Sequence, residues 1–218
     1  MKTLLAFGCS WTYGDELRDP VLKPWQACSV EENNNYRNSN CFGGLIAQHY
    51  NMQFVNMATP GGSLESMRYS LHYALCNYNP ADIVALAVLT YSNRMSFYDP
   101  NLKSMWPWDR FRHSAWHQED TAFQQIGKLW FANCHAADYE IFNLCQTVYC
   151  FEGSGVPCVI SQILNTNDII QSPSKTDFYM REFLKPEHYH AGGHPNEKGH
   201  MIIAQRLIEH IDNAKILA

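Results

Sequence analysis

The sequence of 218 residues is short of charge, and above all of positive charge. Only 17% of residues are Asp, Glu, Lys or Arg, and Lys+Arg 16 stand against Asp+Glu 21, for a net charge of −5. Nucleic acids are held by clustered cations. The densest basic cluster here is Arg110 with Arg112, so nucleic acid is not an expected partner. Long hydrophobic runs are also missing. No stretch reaches the roughly 20 apolar residues of a membrane span, and the apolar lead Leu4 to Phe7 is too short for a signal-peptide core. The 8 Cys include no C-x-x-C pair, which removes the common zinc and redox motifs. They read as small buried hydrophobes and free thiols of a reducing compartment, so the expected location is cytoplasmic. Repeats and low-complexity linkers are absent, which leaves one domain spanning 1-218.

What is present is ordinary globular composition, 46% hydrophobic, enough for one sizeable core at this length. Thr3 to Phe7 reads as a short buried strand that runs into Gly8-Cys9-Ser10-Trp11-Thr12-Tyr13-Gly14. The polar stretch Asp19 to Asn40 reads as a surface loop. Phe42 to Tyr50 has helical spacing, and Gln53 to Asn56 is a second strand that leads to the turn Thr59-Pro60-Gly61-Gly62. Ser63 suits the N-cap of the next helix, with Ser66 at N3. Asp82 to Leu89 is the clearest strand, apolar throughout as a strand covered on both faces must be. An irregular, aromatic-rich excursion follows at about 95-120, with Trp106, Trp108 and Trp116. Thr121 to Phe151 has a long helical pattern, Val156 to Ile163 is a further strand, and Asn165 to His190 is irregular. A last helix opens at His194-Pro195-Asn196. Strands alternating with helices predict an α/β fold, a parallel sheet with helices on both sides. Ligands of such folds bind beyond the C-terminal strand ends. Ser10, Gly61 and Asn93 each follow a strand and are expected on that edge.

A serine hydroxyl attacks an acyl carbon only with an adjacent base and with donors for the oxyanion. Four blocks offer these parts in chain order: Gly8-Cys9-Ser10, Asn56 to Gly61-Gly62, Leu89-Thr90-Tyr91-Ser92-Asn93, and His194-Pro195-Asn196. Together they resemble the blocks of the SGNH/GDSL hydrolases, with Cys9 where Asp is usual. The compact blocks and short N-terminal lead resemble phage-encoded members. The resemblance implies a three-layer α/β/α sandwich with a flavodoxin-like parallel sheet. It also implies a serine esterase or deacetylase working through an acyl-enzyme on an ester, thioester or O-acetyl group. Ser10 is then the nucleophile, His194 the general base, and Gly61 (with Gly62 as alternative) and Asn93 the oxyanion donors. Thr90 is the other candidate for the third-block donor. No metal and no organic cofactor is called for, and the expected partner is a small-molecule or glycan ester, with an oligomer left open.

One departure bears on mechanism. The family places an Asp three residues before its catalytic His, and here that residue is Ala191. The expected substitutes are a backbone carbonyl, Glu187 or Asp168, while Asp15 and Glu16 read as exposed loop or first-turn acids. Loss of the acid motivates a rival: an SGNH-fold module impaired in catalysis that binds a glycan or assembles into a particle. Acyl transfer in place of hydrolysis is a third reading. The plain alternatives are a turn hydroxyl for Ser10 and a helix start at His194 with Pro195 at N1. Gly61 can be simply a turn glycine, and Asn93 a loop-capping amide. His188, His190, His194 and His200 match no strong zinc spacing. The aromatic excursion reads as a self-packed insertion or oligomer contact before it reads as a pocket wall.

Overall fold

A computed structural model describes residues 1–22, 30–90, 136–163 and 175–217. The aromatic excursion, Asn93 and Asp168 lie outside the described residues. The described elements are β1 (Thr3–Phe7), α1 (Ser10–Tyr13), α2 (Val30–Asn40), α3 (Phe42–His49), β2 (Gln53–Asn56), α4 (Leu64–Asn77) and β3 (Ile83–Leu89). They continue with α5 (Ala136–Glu152), β4 (Cys158–Gln162), β5 (Lys175–Tyr179) and α6 (Glu197–Ala214). The five strands form one sheet in the order β2-β1-β3-β4-β5, and every pairing is parallel. This is the flavodoxin-like order.

Every residue of β1, β3 and β4 is buried, which is why β3 is apolar throughout and β1 and β4 carry apolar runs without alternation, Leu4 to Phe7 and Cys158 to Ile160. Side chains alternate across the sheet. Leu5, Phe7, Ala85, Ala87 and Leu89 pack with Leu64, Met67 and Leu71 of α4 and with Leu144, Val148 and Phe151 of α5. Leu4, Ala6, Val84, Leu86 and Val88 face the other way, onto Phe42 and Ile46 of α3 and onto Ile203, Leu207 and Ile211 of α6. Phe7 meets Phe151 edge-on with ring centroids 5.1 Å apart. Each such fully buried side chain contributes about 1.5–3 kcal/mol of hydrophobic stabilisation. Three layers therefore form around a sheet whose C-terminal edge is left to loops. The expected capping box is present: Ser66 N–H donates to Ser63 Oγ, and Ser63 N–H donates to Ser66 Oγ.

Three expectations are corrected. Residues 30–40 form α2 rather than part of a surface loop. The helix is polar all round (Val-Glu-Glu-Asn-Asn-Asn-Tyr-Arg-Asn-Ser-Asn), so it carries no apolar stripe to read. It docks through buried polar groups instead: Asn33 Nδ2 donates to Leu17 O (2.6 Å), and Asn33 Oδ1 accepts from Asp19 N–H (2.9 Å). The irregular region 165–190 contains β5, an edge strand that pairs with β4 through a register shift. Pro195 is not at N1 of the last helix. Asn196 is the N-cap, its Oδ1 accepting from Gly199 N–H (3.0 Å), and Pro195 instead forms an antiparallel bridge with Tyr189.

Candidate active site

β1 ends on Phe7, and after Gly8 and Cys9 the chain turns into the four-residue α1 with Ser10 as its first residue. The turn is tight enough to require glycine at position 8. A Cβ there would fall 2.2 Å from Thr12 Oγ1. Cys9 is fully buried in the core, which suits a thiol and would penalise the carboxylate that the family usually carries there. Ser10 is buried at 3% exposure. Its carbonyl accepts N–H groups from Gly14 (3.1 Å) and Asp15 (2.9 Å), so the segment after α1 folds back over it.

The second loop docks directly on the first. Met57 N–H donates to Ala6 O (2.8 Å) and Thr59 N–H to Gly8 O (3.1 Å). Asn56 ties them further, with Nδ2 donating to Tyr13 O (3.1 Å) and Oδ1 accepting from Ala58 N–H (3.2 Å). Gly61 has φ +78, the left-handed conformation that favours glycine. The choice between Gly61 and Gly62 follows from their N–H groups. Gly62 donates its own to Thr59 O (2.8 Å). No such bond engages Gly61 N–H among the described residues, so of the two it is the one left to donate elsewhere. Thr90 is buried directly after β3.

His194 sits on a short loop braced at both ends. His190 N–H donates to His194 O (2.8 Å), Gly193 N–H to His190 O (3.0 Å), and Asn196 N–H to His188 O (2.9 Å). Tyr189 packs edge-on against Trp11 of α1, with centroids 5.9 Å apart, which brings this loop to the turn that carries Ser10. The carboxylate facing the imidazole comes from Glu16, which corrects the expectation of an exposed acid. Glu16 Oε2 is 2.7 Å from His194 Nδ1. The same carboxylate accepts the backbone N–H groups of His194 (3.2 Å) and Gly192 (3.1 Å). A carboxylate only accepts, so Nδ1 carries the proton and Nε2 keeps the lone pair that a general base needs. Glu187, one of the expected substitutes, is exposed; its carboxylate bonds its own backbone N–H and its carbonyl accepts from Asn196 Nδ2.

The seat for Glu16 is built into both loops. Gly14 at φ +78 turns the chain after α1, and Glu16 itself adopts φ +68. That conformation costs a non-glycine residue about 1–2 kcal/mol, and the three hydrogen bonds to its carboxylate offset it. On the other loop, a Cβ at Gly192 would fall 2.3 Å from Glu16 Oε1 and 2.6 Å from its Cδ. Burial raises the Glu16 carboxyl pKa, but the hydrogen bonds and charge of His194 and the N–H of Gly192 outweigh it, and the group stays ionised below its usual 4.5. The native state thus binds this proton less readily than the unfolded chain. The pair's contribution is present above about pH 4.5 and fades as pH falls through the lowered value. Gly192→Ala is expected to fold, because the flexible carboxylate can swing away, at a stability cost of about the 1–2 kcal/mol of Glu16 backbone strain that its hydrogen bonds offset. Any reaction that uses His194 as its base should still slow by about 10²-fold, as misplacement of a positioned group by about 1 Å does.

Ser10 Oγ and His194 make no hydrogen bond to each other in this arrangement. Nε2 has Asp15 Oδ2 at 4.0 Å. Catalytic hydrogen bonds commonly tighten only once substrate is bound. The remaining histidines have separate tasks: His188 Nδ1 accepts from Lys185 N–H (3.0 Å) and His200 Nδ1 from Phe42 N–H (3.3 Å). Among the described residues no group of three or more His, Cys, Asp or Glu is placed to hold a metal ion. No described helix is long and apolar enough to cross a membrane.

No family model matches the sequence, and no characterised protein matches it at a significant level of sequence similarity. Solved structures do match in fold over nearly the whole chain. A member of the lipolytic protein G-D-S-L family from Veillonella parvula DSM 2008 is 14% identical, with 96% of this chain and 97% of that one covered and a TM-score of 0.52. The psychrotrophic esterase EstA from Pseudoalteromonas sp., solved inhibited by monoethylphosphonate, is 11% identical, with 98% of each chain covered and a TM-score of 0.53. A carbohydrate esterase whose active site is described as having divergent catalytic and non-catalytic binding functions is 13% identical. It covers 97% of this chain and 68% of its own, at a TM-score of 0.50. At such identities the likeness is one of fold, and the fold is that of the SGNH/GDSL hydrolases.

Proposed function

We propose that this chain, on its SGNH/GDSL-type fold, is a serine esterase or deacetylase that cleaves an ester, thioester or O-acetyl group through an acyl-enzyme. The observation that carries the reading is the 2.7 Å contact between Glu16 Oε2 and His194 Nδ1. It supplies the third group of a Ser-His-acid set from a place where the family does not keep it. The mechanism follows from the parts. Ser10 Oγ attacks the acyl carbon as His194 Nε2 takes its proton. Negative charge moves to the acyl oxygen, where the N–H groups of Ser10 and Gly61 stabilise it. Asn93, outside the described residues, remains the proposed third donor. His194 then gives its proton to the leaving alcohol or thiol. Water attacks the acyl-enzyme by the same route in reverse, releasing a carboxylic acid and restoring the Ser10 hydroxyl. Glu16 keeps the ring in the reactive tautomer and stabilises the imidazolium.

The rival reading, a binding or assembly module without catalysis, rested on Ala191. Glu16 weakens it by providing the carboxylate that Ala191 lacks. The described cysteines are all free thiols, which supports a reducing, cytoplasmic setting. The test is labelling of the purified protein with a fluorophosphonate, beside Ser10→Ala and His194→Ala, followed by peptide mapping. Only an activated serine reacts. The expected result is label on Ser10 alone, lost in both variants. A folded protein that takes no label would overturn the esterase reading and favour the binding module.

A further inference from the structure

One loop away from Ser10 lies a cavity of about 660 Å³ that includes neither Ser10 nor His194 in its wall. It is bounded by the second loop (Thr59, Pro60), the end of β2 (Asn56), Tyr13 of α1 and one face of α2 (Asn34, Arg37). It therefore shares its walls with the loops that carry the nucleophile and Gly61. Arg37 is the unusual member. Its side chain is nearly sealed, at 3% exposure for the residue. Nη2 donates to Asn34 Oδ1, and the guanidinium lies 4.0 Å from the centroid of the Tyr13 ring. Nε is buried and has no hydrogen-bond partner. No carboxylate among the described residues forms an ion pair with it. Glu31 is the one described acid on the cavity wall, and it is exposed on the first turn of α2.

A guanidinium does not lose its proton in proteins. Burying it without a counter-charge costs several kcal/mol, and with none among the described residues the charge points to an anionic partner in the cavity. The surrounding groups indicate what it is. The amide nitrogens of Asn34 and Asn38 can donate to sugar hydroxyls, and the Tyr13 ring that stacks on Arg37 lies in the same wall. We infer that this cavity is a subsite for an oxyanion-bearing sugar, held by Arg37, so that the esterase acts on an acylated acidic glycan. The inference rests on the proposed esterase reading for its meaning, but the binding itself does not require turnover. Sugar bound next to the second loop would carry its acyl group towards Ser10, and binding energy from this remote part would position the reacting ester.

The test is titration of the full-length Ser10→Ala protein with methyl β-D-glucuronide, glucose 6-sulfate and methyl β-D-glucoside, followed by NMR or calorimetry. At least one acidic sugar is expected to bind about tenfold or more tightly than the neutral glucoside, the ratio one charge-assisted hydrogen bond supplies. Glucuronide over sulfate would identify a carboxylate, and the reverse order a sulfate or phosphate ester. Arg37→Gln should abolish the preference. If that variant does not fold, Glu31→Gln carries the test, because removing the like charge should tighten the acidic sugar about twofold or more and leave the glucoside unchanged. Equal binding of acidic and neutral sugars, or no binding of any, overturns the subsite. Fluorophosphonate labelling of Ser10 with no acidic preference would overturn the subsite alone, and acidic preference without labelling would overturn the esterase reading alone.

Discussion

Replacing Glu16 by Gln is expected to lower kcat for an ester substrate by about 10⁴-fold, with little change in KM. Gln is nearly the same size, but with its carbonyl oxygen on the N–H of Gly192 its amide nitrogen takes the place of Oε2, which accepts both the backbone N–H and the Nδ1–H of His194. That nitrogen donates where the carboxylate accepted. Facing His194 Nδ1 at the present 2.7 Å, that donor would turn Nδ1 into an acceptor and move the ring proton to Nε2. The lone pair that should receive the Ser10 proton is then gone. Glu16 touches the imidazole and not the substrate, so it is a positioning residue, and the loss should fall on kcat. A downfield proton resonance from Nδ1–H, present in the parent and absent in Glu16→Gln, is a readout that a merely structural role would leave unmoved. Adding Ala191→Asp to Glu16→Gln restores a carboxylate at the family's usual spacing, and should recover part of the lost rate. Unchanged turnover in Glu16→Gln would leave a Ser-His dyad and remove the role assigned to Glu16.

That contact also marks where the sequence stops being readable. β1, β3 and β4 were legible because a strand covered on both faces shows an unbroken apolar run, complete in β3 and interrupted only by Thr3, Ser161 and Gln162 at the ends of the other two. Gly61 and Ser63 were legible because a positive φ and an N-cap each have a chemical signature within a few residues. α2 was not, since a helix that docks through Asn33 and Arg37 has no apolar period. β5 was not, because the edge strand Lys-Thr-Asp-Phe-Tyr is not a continuous apolar run. Glu16 was the hardest, because its partner lies 178 positions along the chain. The sheet alone makes them neighbours, by placing the loop after β1 beside the loop before α6. The only local trace was a set of glycines without an evident task. Gly192 stands where a side chain would strike the Glu16 carboxylate, and Gly193, at φ +88, completes the turn. Ala191-Gly192-Gly193 therefore makes room for the acid that arrives from the other loop.

The second large effect concerns the fold that holds His194 in place. His200 lies in the first turn of α6 and is fully buried. Burial, with lesser contributions from the charges of His190 and His194, pushes its pKa down from 6.5 to about 3. Its Nδ1 accepts the N–H of Phe42, the first residue of α3, so a proton there would meet a donor. It would also set a cation at two helix N-termini, where the backbone already presents positive charge. The unfolded chain takes up this proton near pH 6.5 and the native state only near 3. Between these values the unfolded state binds more protons, so stability is complete above about 6.5 and falls as pH drops. From this residue alone, urea denaturation should report a loss of about 2 kcal/mol between pH 7 and pH 5, out of a total of roughly 5–15. The lowered carboxyl of Glu16 acts only below about 4.5, which leaves the upper window to histidine. His200→Gln keeps an acceptor for Phe42 N–H but has no proton to take up, so it should flatten the profile in that window even if it destabilises the protein at neutral pH. A slope unchanged by His200→Gln would show that the buried imidazole is not its source. A flattened slope would mean that loss of activity under mild acid includes release of the α3–α6 contact, and with it the loop that holds His194 against Glu16.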